Sequence, residues 1–142
     1  MYSRLKSAMH FFLWYNIYGD NMDKDIFCKI IDGEIPSNKI YEDDIVLAFL
    51  DINPQANGHT LVIPKKHFKD VYDIDNVTLT HIFDVARTLS KKIVETLNAT
   101  GVSLTQNNGD AQLVKHFHLH IIPYYVNNEL IDVNEIFNKL KD

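Results

Sequence analysis

Hydrophobic positions recur at helical spacing in three parts of the chain. The longest pattern runs from about Asn76 to Ala99 and places seven apolar residues on one stripe of a helix with 3.6 residues per turn: Leu79, Ile82, Phe83, Ala86, Leu89, Ile93 and Leu97. Gly101 is predicted to end this helix. Shorter helical patterns predict a helix that starts near Ile26 and a small closing helix within residues 132–142.

The remaining apolar runs are short and are separated by turn residues. They predict strands at residues 39–42, 45–52, 59–64, 102–106 and 115–123. The first two runs are separated only by a short acidic turn, which favours a hairpin. Strands joined by short turns, with one long helix inserted, predict an α+β domain built on a mostly antiparallel five-stranded sheet.

Residues 1–21 differ from the rest of the chain and are predicted to be an extension that precedes a domain at residues 22–142. Their apolar, aromatic run at residues 9–15 superficially resembles a signal peptide. The run is too short to span a bilayer and leads to no small-residue cleavage site. We therefore expect a segment that is dispensable for chemistry and has no association with a membrane. The alternative is an amphipathic segment that docks on the domain or on a partner.

Composition and charge narrow the class of partner. The chain has 142 residues, a formal net charge of −5 and no long run of Lys or Arg. Polymeric nucleic acid is therefore not an expected partner, because binding to its phosphate backbone needs clustered basic side chains. A site for a single nucleotide remains compatible with this charge. The one cysteine, Cys28, cannot form an internal disulfide, which favours a reducing compartment, the cytoplasm.

Three histidines alternate with apolar residues in the last predicted strand. Because successive side chains of a strand point to opposite faces, His116, His118 and His120 are expected to share one face. Imidazoles serve as nucleophiles, acids, bases or metal ligands near neutral pH. The row is therefore a candidate reaction surface, and the alternative is a set of solvent-facing histidines on a half-buried strand.

Several further motifs occur in a fixed order around this row. They are Ile-Phe-Cys-Lys-Ile-Ile, Glu-Ile-Pro, Ala-Phe-Leu-Asp-Ile-Asn-Pro, Gly-His-Thr-Leu-Val-Ile-Pro-Lys, Asn-Asn-Gly and His-x-His-x-His-Ile-Ile-Pro. With these motifs the chain resembles the histidine triad (HIT) family of nucleotide hydrolases and transferases, on its Hint-like branch. The resemblance covers residues 26–123. It implies a HIT-type fold, a purine nucleotide or nucleotide conjugate as substrate, and a homodimer joined through the long helix and an edge strand.

The resemblance also implies roles for four histidines. His118 would attack the α-phosphorus and form a covalent nucleotidyl-histidine intermediate that water then cleaves. His120 and His59 would contact the phosphate oxygens, and His116 would orient the strand and its neighbours. This chemistry requires no cofactor.

Four further residues are implied to bind the nucleotide. Asp51 would accept hydrogen bonds from the ribose hydroxyls, although a carboxylate there could also cap the strand end. Phe27 and Phe49 would form a slot for the base, or serve only the core. Asn107 would lie beside the phosphate, or act as a turn amide.

The segment between Gly109 and Lys115 departs from the family pattern because it is two residues shorter. The missing part normally supplies backbone N–H groups and a hydroxyl to the phosphate, and Leu113 occupies the position of that serine. Gln112 remains a candidate donor. We expect nucleotide binding to be retained, with weaker leaving-group assistance or an altered substrate preference.

A structural zinc site is a second family feature that this chain modifies. Bacterial-type members hold zinc with a Cys-x-x-Cys pair, a histidine after the Pro-Lys segment and the first histidine of the triad. The corresponding residues here are Asp25, Cys28, His67 and His116. A carboxylate, a thiolate and two imidazoles can complete a tetrahedral zinc site, although Asp in place of Cys is unusual. Otherwise Cys28 would be a small buried hydrophobe.

The sequence leaves three functional hypotheses open. The first is a nucleotidyl hydrolase that acts on purine nucleoside phosphoramidates or related conjugates through His118. The second is a zinc-dependent hydrolase that uses the three histidines of the row as ligands. The third is a nucleotide-binding or scaffold protein with low turnover, which the shortened loop would explain.

Overall fold

The structure, a computed structural model, describes residues 24–142. The predicted extension at residues 1–21 and the predicted domain start at residue 22 lie outside the described residues. In chain order the elements are α1 (Ile26–Ile31), β1 (Lys39–Glu42), β2 (Val46–Leu50), β3 (Thr60–Pro64), α2 (Asn76–Leu97), β4 (Gly101–Gln106), a 3₁₀ turn (Gly109–Ala111), β5 (Leu119–Tyr124) and α3 (Val133–Leu140).

The five strands form one sheet in the order β1-β2-β3-β5-β4, and every neighbouring pair is antiparallel. This confirms the predicted α+β class, the number of strands and the hairpin of β1 and β2. β5 lies between β3 and β4, so that His120 pairs with Leu61 on one side and Thr105 on the other. Every residue of β2 and β3 is buried, which makes these strands the centre of the core.

The long helix α2 covers one face of the sheet, as predicted, but its buried arc is rotated. Val85 and Ser90 are buried, whereas Phe83 is 41% exposed, so the expectation that Phe83 faces the core was wrong. The Ser90 hydroxyl is satisfied by donating to the Ala86 carbonyl (2.6 Å). Periodicity indicates that a helix is amphipathic, but the rotation that fits the sheet depends on tertiary packing.

The end of α2 also differs from the prediction. The helix ends at Leu97, and Asn98 adopts a left-handed conformation (φ 56°) as the cap, with its N–H donating to the Val94 carbonyl. Gly101 is not the helix stop but the first residue of β4, where it pairs with Tyr124. Asn tolerates the left-handed conformation better than most non-glycine residues, so Asn98 takes the role expected of Gly101.

The two faces of the sheet carry two hydrophobic clusters. One cluster lies under α2 and α3, and α3 contributes Ile136 and Leu140 to it, as predicted for the closing helix. The other cluster joins α1 to the opposite face through residues such as Phe27 and Phe49. Within residues 24–142, no helix has the length and hydropathy needed to cross a membrane.

Candidate active site

His116 and His118 are buried, and His120 is partly buried. β5 begins at Leu119 rather than near residue 115, so His116 and His118 precede the strand. Their exposed fractions are 0% and 5%, and Phe117 between them is fully buried in the core. The ring centroids of His118 and His120 lie 5.0 Å apart. The hypothesis of solvent-facing histidines is therefore wrong.

A cavity of about 250 Å³ lies on the α1 side of the sheet. Its wall contains six of the predicted site residues: Phe27, Phe49, Asp51, Asn107, His118 and His120. The Phe27 and Phe49 rings meet edge to face at 5.8 Å, and the Phe27 ring lies 5.1 Å from that of His118. An apolar slot therefore adjoins the two histidines, which suits a ligand with a flat apolar part and a polar group.

The hydrogen bonds of His118 determine which ring nitrogen is available for chemistry. Its Nδ1 lies 2.7 Å from the main-chain carbonyl oxygen of His116. Because a carbonyl only accepts, Nδ1 must carry the proton, and Nε2 therefore carries the lone pair. Burial lowers the pKa of His118, which keeps the ring neutral near pH 7. These are the requirements for a nucleophilic imidazole.

His59 and His120 form a chain of hydrogen bonds with a defined direction. The main-chain N–H of Gln55 donates to His59 Nδ1 (3.0 Å), so the proton of His59 lies on Nε2. His59 Nε2 lies 2.9 Å from His120 Nδ1 and donates to it. The remaining proton of His120 is therefore on Nε2. Burial, with the adjacent His118 and His59, lowers the pKa of His120 to about 3, so His120 is a neutral donor.

Asp51 lies directly after β2, and its carboxylate caps the strand end, one of its two predicted roles. Its Oδ1 accepts a hydrogen bond from the Asn53 N–H (2.8 Å), and Oδ2 lies 3.5 Å from His59 Nε2. The residue thus satisfies the turn after the strand and also lines the cavity. Burial raises the pKa of this carboxyl to about 6, against the opposing effect of the Asn53 hydrogen bond.

The shortened loop positions its residues differently from the prediction. Gln112 is buried outside the cavity wall, and its amide donates to the Lys69 carbonyl (2.6 Å), so the structure does not bring it to the cavity as a donor. Lys115 Nζ donates to the carbonyls of Gly109 (2.6 Å) and Gln112 (3.1 Å) and closes the loop. Leu113 lines the cavity and is 54% exposed.

The four predicted metal ligands converge on one point. The ligand atoms of Asp25, Cys28, His67 and His116 all lie within 4.8 Å of one another. Asp25 Oδ2 is 2.9 Å from His67 Nδ1 and 3.1 Å from His116 Nδ1, while Cys28 Sγ is 3.8 Å and 3.6 Å from the same two nitrogens. Ligands of tetrahedral zinc lie about 3.3 to 3.6 Å apart, given the usual Zn–N and Zn–S lengths.

Main-chain contacts orient the ligand atoms of this cluster toward its centre. His116 Nε2 donates to the Pro64 carbonyl (2.9 Å), which leaves the lone pair on Nδ1, facing Asp25 and Cys28. Asp25 Oδ1 accepts from the Cys28 N–H (2.8 Å) as the cap of α1, which leaves Oδ2 for the cluster. Burial and the Asp25 charge raise the pKa of the Cys28 thiol to about 11. The donor set thus fits a cation that would offset the charge of a thiolate.

Two other arrangements fit a metal poorly. The ligand atoms of Asp51, His59 and His120 also lie within 4.8 Å of one another, but the Gln55 N–H forces a proton onto His59 Nε2, the nitrogen that would have to bind the ion. His116, His118 and His120 do not converge as a group anywhere in the described part of the chain. The hypothesis of a zinc held by the three histidines of the row is therefore wrong.

Sequence reasoning missed the main-chain groups that set the histidine tautomers. They are the carbonyls of Pro64 and His116 and the N–H of Gln55. No side-chain pattern could reveal them, because every residue carries the same main-chain groups.

The antiparallel sheet, with a neutral buried histidine beside an apolar cavity, defines the class as that of small histidine triad domains. The chain belongs to this family, since the family model described as HIT domain matches residues 32–127.

Three proteins illustrate the similarity. The adenosine 5′-monophosphoramidase of Saccharomyces cerevisiae is 46% identical over 101 residues, which cover 69% of this chain and 61% of that protein. The crystal structure of a Hit-like protein from Bartonella henselae has a TM-score of 0.77 at 40% identity and covers 84% of this chain and 96% of that one. A zinc-bound histidine triad family protein from Mycobacterium smegmatis has a TM-score of 0.76 at 36% identity and covers 82% and 89% of the two chains.

Proposed function

We propose that this protein is a nucleotidyl hydrolase that cleaves purine nucleoside phosphoramidates or related nucleotide conjugates through His118. The observation that carries the proposal is the bond from His118 Nδ1 to the His116 carbonyl, because it leaves a neutral Nε2 lone pair on a residue of the cavity wall. Similarity to a yeast enzyme named for adenosine 5′-monophosphoramide hydrolysis supports this class of substrate.

In the first step, Nε2 of His118 attacks the α-phosphorus. An N–P bond forms, the bond from phosphorus to the leaving nitrogen breaks, and the leaving amine takes its electron pair together with a proton from water. The nucleotidyl-histidine carries a positive charge, and the bond from Nδ1 to the His116 carbonyl disperses it.

In the second step, the hydroxide equivalent of the same water attacks phosphorus. The P–Nε2 bond breaks and its electron pair returns to Nε2, which regenerates the neutral ring. Over both steps one water is consumed, with its proton on the amine and its hydroxyl on the phosphate.

The surrounding groups bind the nucleotide and stabilise the transition state. His120 Nε2–H donates to a phosphate oxygen, and His59 acts through the bond that it donates to His120. A neutral imidazole is too weak an acid to protonate the amine, so His120 serves as a donor of a hydrogen bond only. Asp51 accepts from the ribose hydroxyls, and Phe27 and Phe49 enclose the base.

The test uses adenosine 5′-phosphoramidate as substrate. His118→Ala is expected to abolish hydrolysis, and mass spectrometry of quenched wild-type protein is expected to show an adenylyl group on His118. The matched control is His81→Ala, since His81 lies on α2 and bonds to Asp43 (2.6 Å), away from the cavity wall. Equal rates in wild type and His118→Ala would exclude His118 as the nucleophile.

A structural zinc ion is part of the same proposal. Asp25, Cys28, His67 and His116 would hold it, and it would tie α1 to the segments that follow β3 and precede β5. Zinc there supplies a cross-link and a positive charge, and the hydrolytic chemistry does not use it. The zinc-bound relative from Mycobacterium smegmatis supports this assignment.

A second candidate function is nucleotide binding with low turnover. The observation that favours it is the turning of Gln112 toward Lys69, which removes one donor from the shortened loop. Single-turnover kinetics distinguish the two functions. A hydrolase forms and clears the adenylyl group within its turnover time, whereas a binding protein holds adenosine 5′-phosphoramidate unchanged.

A homodimer joined through α2 and the edge strand β4 completes the proposal. The edge strand carries the exposed Leu104, and α2 carries the exposed Phe83. Light scattering is expected to give the mass of a dimer, and Leu104→Lys is expected to shift it toward that of a monomer. A monomeric wild type would contradict this assembly.

A further inference from the structure

The segment after β5 contacts the loop that precedes β3. We name residues 125–131 the C-terminal strap; it connects β5 to α3. The side chain of Asn57 joins the loop to the strap both as a hydrogen-bond donor and as an acceptor. Its Nδ2 donates to the Glu129 carbonyl (2.8 Å), and its Oδ1 accepts from the Ile131 N–H (3.0 Å).

Two more hydrogen bonds join the strap to the main chain of the loop. The Tyr125 hydroxyl donates to the Asn57 carbonyl (2.5 Å), and Asn128 Nδ2 donates to the Gln55 carbonyl (3.1 Å). Four bonds thus converge on residues 55–57, although the strap itself has no regular secondary structure. Each such bond contributes about 1 kcal/mol, so together they can restrict this short loop.

The loop that the strap binds reaches the histidines through one group, the Gln55 N–H. The Gln55 N–H donates to His59 Nδ1, and this bond places the His59 proton on Nε2, from which it is donated to His120. The strap donates hydrogen bonds to the same loop at the Gln55 and Asn57 carbonyls. Strap, loop, His59 and His120 therefore form one continuous series of hydrogen bonds.

Both ends of this assembly are anchored in the fold. The strap continues into α3, whose Leu140 is buried and accepts a hydrogen bond from Lys92 of α2 (2.7 Å). The loop ends at Gly58, which has φ +88° and packs so closely on α2 that an added Cβ would lie 2.8 Å from Leu97 Cδ1. The strap is thus attached to α3, and the loop is packed against α2.

We propose that Asn57 and Tyr125 are positioning residues for hydrolysis, because their hydrogen bonds between the strap and the loop keep the Gln55 N–H on His59 and so keep a proton on His120 Nε2. The proposal rests on the proposed function, in which that proton is donated to a phosphate oxygen. If the loop moves away, His59 can place its proton on Nδ1, and the shared proton then moves to His120 Nδ1. His120 Nε2 then presents a lone pair to the phosphate, which is repulsive.

This role predicts a specific kinetic signature. Within residues 24–142, the residues proposed to bind base and ribose, such as Phe27 and Asp51, form no hydrogen bond with the strap. Asn57→Leu and Tyr125→Phe are therefore expected to lower kcat for adenosine 5′-phosphoramidate about tenfold and to leave KM within about twofold of wild type. The control is Asn127→Leu, an exposed strap residue with no side-chain hydrogen bond among the described residues, and we expect wild-type kcat.

The second readout is the tautomer itself, measured by NMR on protein with ¹⁵N-labelled histidine. Wild type and Asn127→Leu are expected to show His59 and His120 protonated on Nε2, and Tyr125→Phe to show a shift of protonation toward Nδ1. Unchanged tautomers with unchanged kcat in Tyr125→Phe, which removes only a hydroxyl and preserves the fold, would overturn the proposal. So would an equal loss of kcat in Asn127→Leu. If wild type fails to hydrolyse the substrate, the proposed function fails, while the tautomers still decide the role of the strap.

Discussion

Two clusters of this protein have almost the same composition and different chemistry. Asp25, His67 and His116 with Cys28 form one, and Asp51, His59 and His120 form the other. In the first cluster, His116 Nε2–H donates to the Pro64 carbonyl, so the lone pair on Nδ1 faces the cluster. In the second cluster, the Gln55 N–H donates to His59 Nδ1, so the proton on Nε2 faces the cluster.

For His59, His116 and His118, the main-chain partner of the imidazole decides which ring nitrogen carries the proton, and His59 in turn decides it for His120. A carbonyl behind the ring makes the front nitrogen a ligand or nucleophile, as in His116 and His118. An N–H behind the ring makes the front nitrogen a donor, as in His59. The four predictions below test this distinction, from the largest expected effect to the smallest.

Zinc is expected to bind the first cluster and to stabilise the protein. At a free zinc concentration about a thousand times Kd, the free energy of unfolding is expected to rise by about 4 kcal/mol. Cys28→Ala is expected to lose most of this gain, measured by denaturant unfolding with and without zinc and by metal analysis. Asp51→Asn is the matched control and should retain it. Loss of zinc in Asp51→Asn but not in Cys28→Ala would reverse the assignment of the clusters.

Removal of the donor in the second cluster is expected to slow catalysis strongly. His120→Ala should lower kcat for adenosine 5′-phosphoramidate about 100-fold, as is usual when one donor to a developing charge is removed. Steady-state kinetics measure the effect, with His81→Ala as the control. A wild-type kcat in His120→Ala would show that the proton on Nε2 has no role in the reaction.

Acid is expected to destabilise the protein through the second cluster. Burial lowers the pKa of His120 to about 3, so the unfolded chain binds a proton near pH 6.5 while the folded chain does not. The neutral ring contributes its full stability above pH 6.5, and this contribution falls by about 2 kcal/mol at pH 5. Urea unfolding at pH 8 and pH 5 is expected to show that His120→Ala loses less stability than wild type. An equal loss in both proteins would contradict the prediction.

The two aspartates are expected to ionise over different pH ranges. Burial raises the pKa of Asp51 to about 6. At Asp25, burial acts in the same direction, but the contacts with His116, the Cys28 N–H and His67 together outweigh it and lower the pKa. Only ionised Asp51 accepts both ribose hydroxyls, so the affinity for adenosine should fall about tenfold between pH 7 and pH 5. Calorimetric titration with adenosine avoids the titration of a phosphate. Asp51→Asn should bind weakly with little pH dependence, and a steep fall in that variant would exclude Asp51 as the cause.

Much of the fold could be predicted because its patterns are local. Short apolar runs between turn residues indicated all five strands, and β1 agrees in both bounds. The errors arose where a local pattern allows more than one outcome. The rotation of α2 that exposes Phe83 depends on the sheet beneath it. The helix is capped by Asn98 rather than Gly101, and Gly101 instead pairs with Tyr124 in β4.

The sequence by itself determined the family, the candidate nucleophile and the four residues of the metal cluster. These depend on which side chains are present and in what order. Only the tertiary structure decided where the protons of the site histidines lie, because their partners are main-chain groups or another imidazole that meet the ring only in the folded chain. The Pro64 carbonyl, for example, lies 52 positions before His116. Main-chain groups are the same at every position, so a sequence does not reveal which of them will meet a given ring.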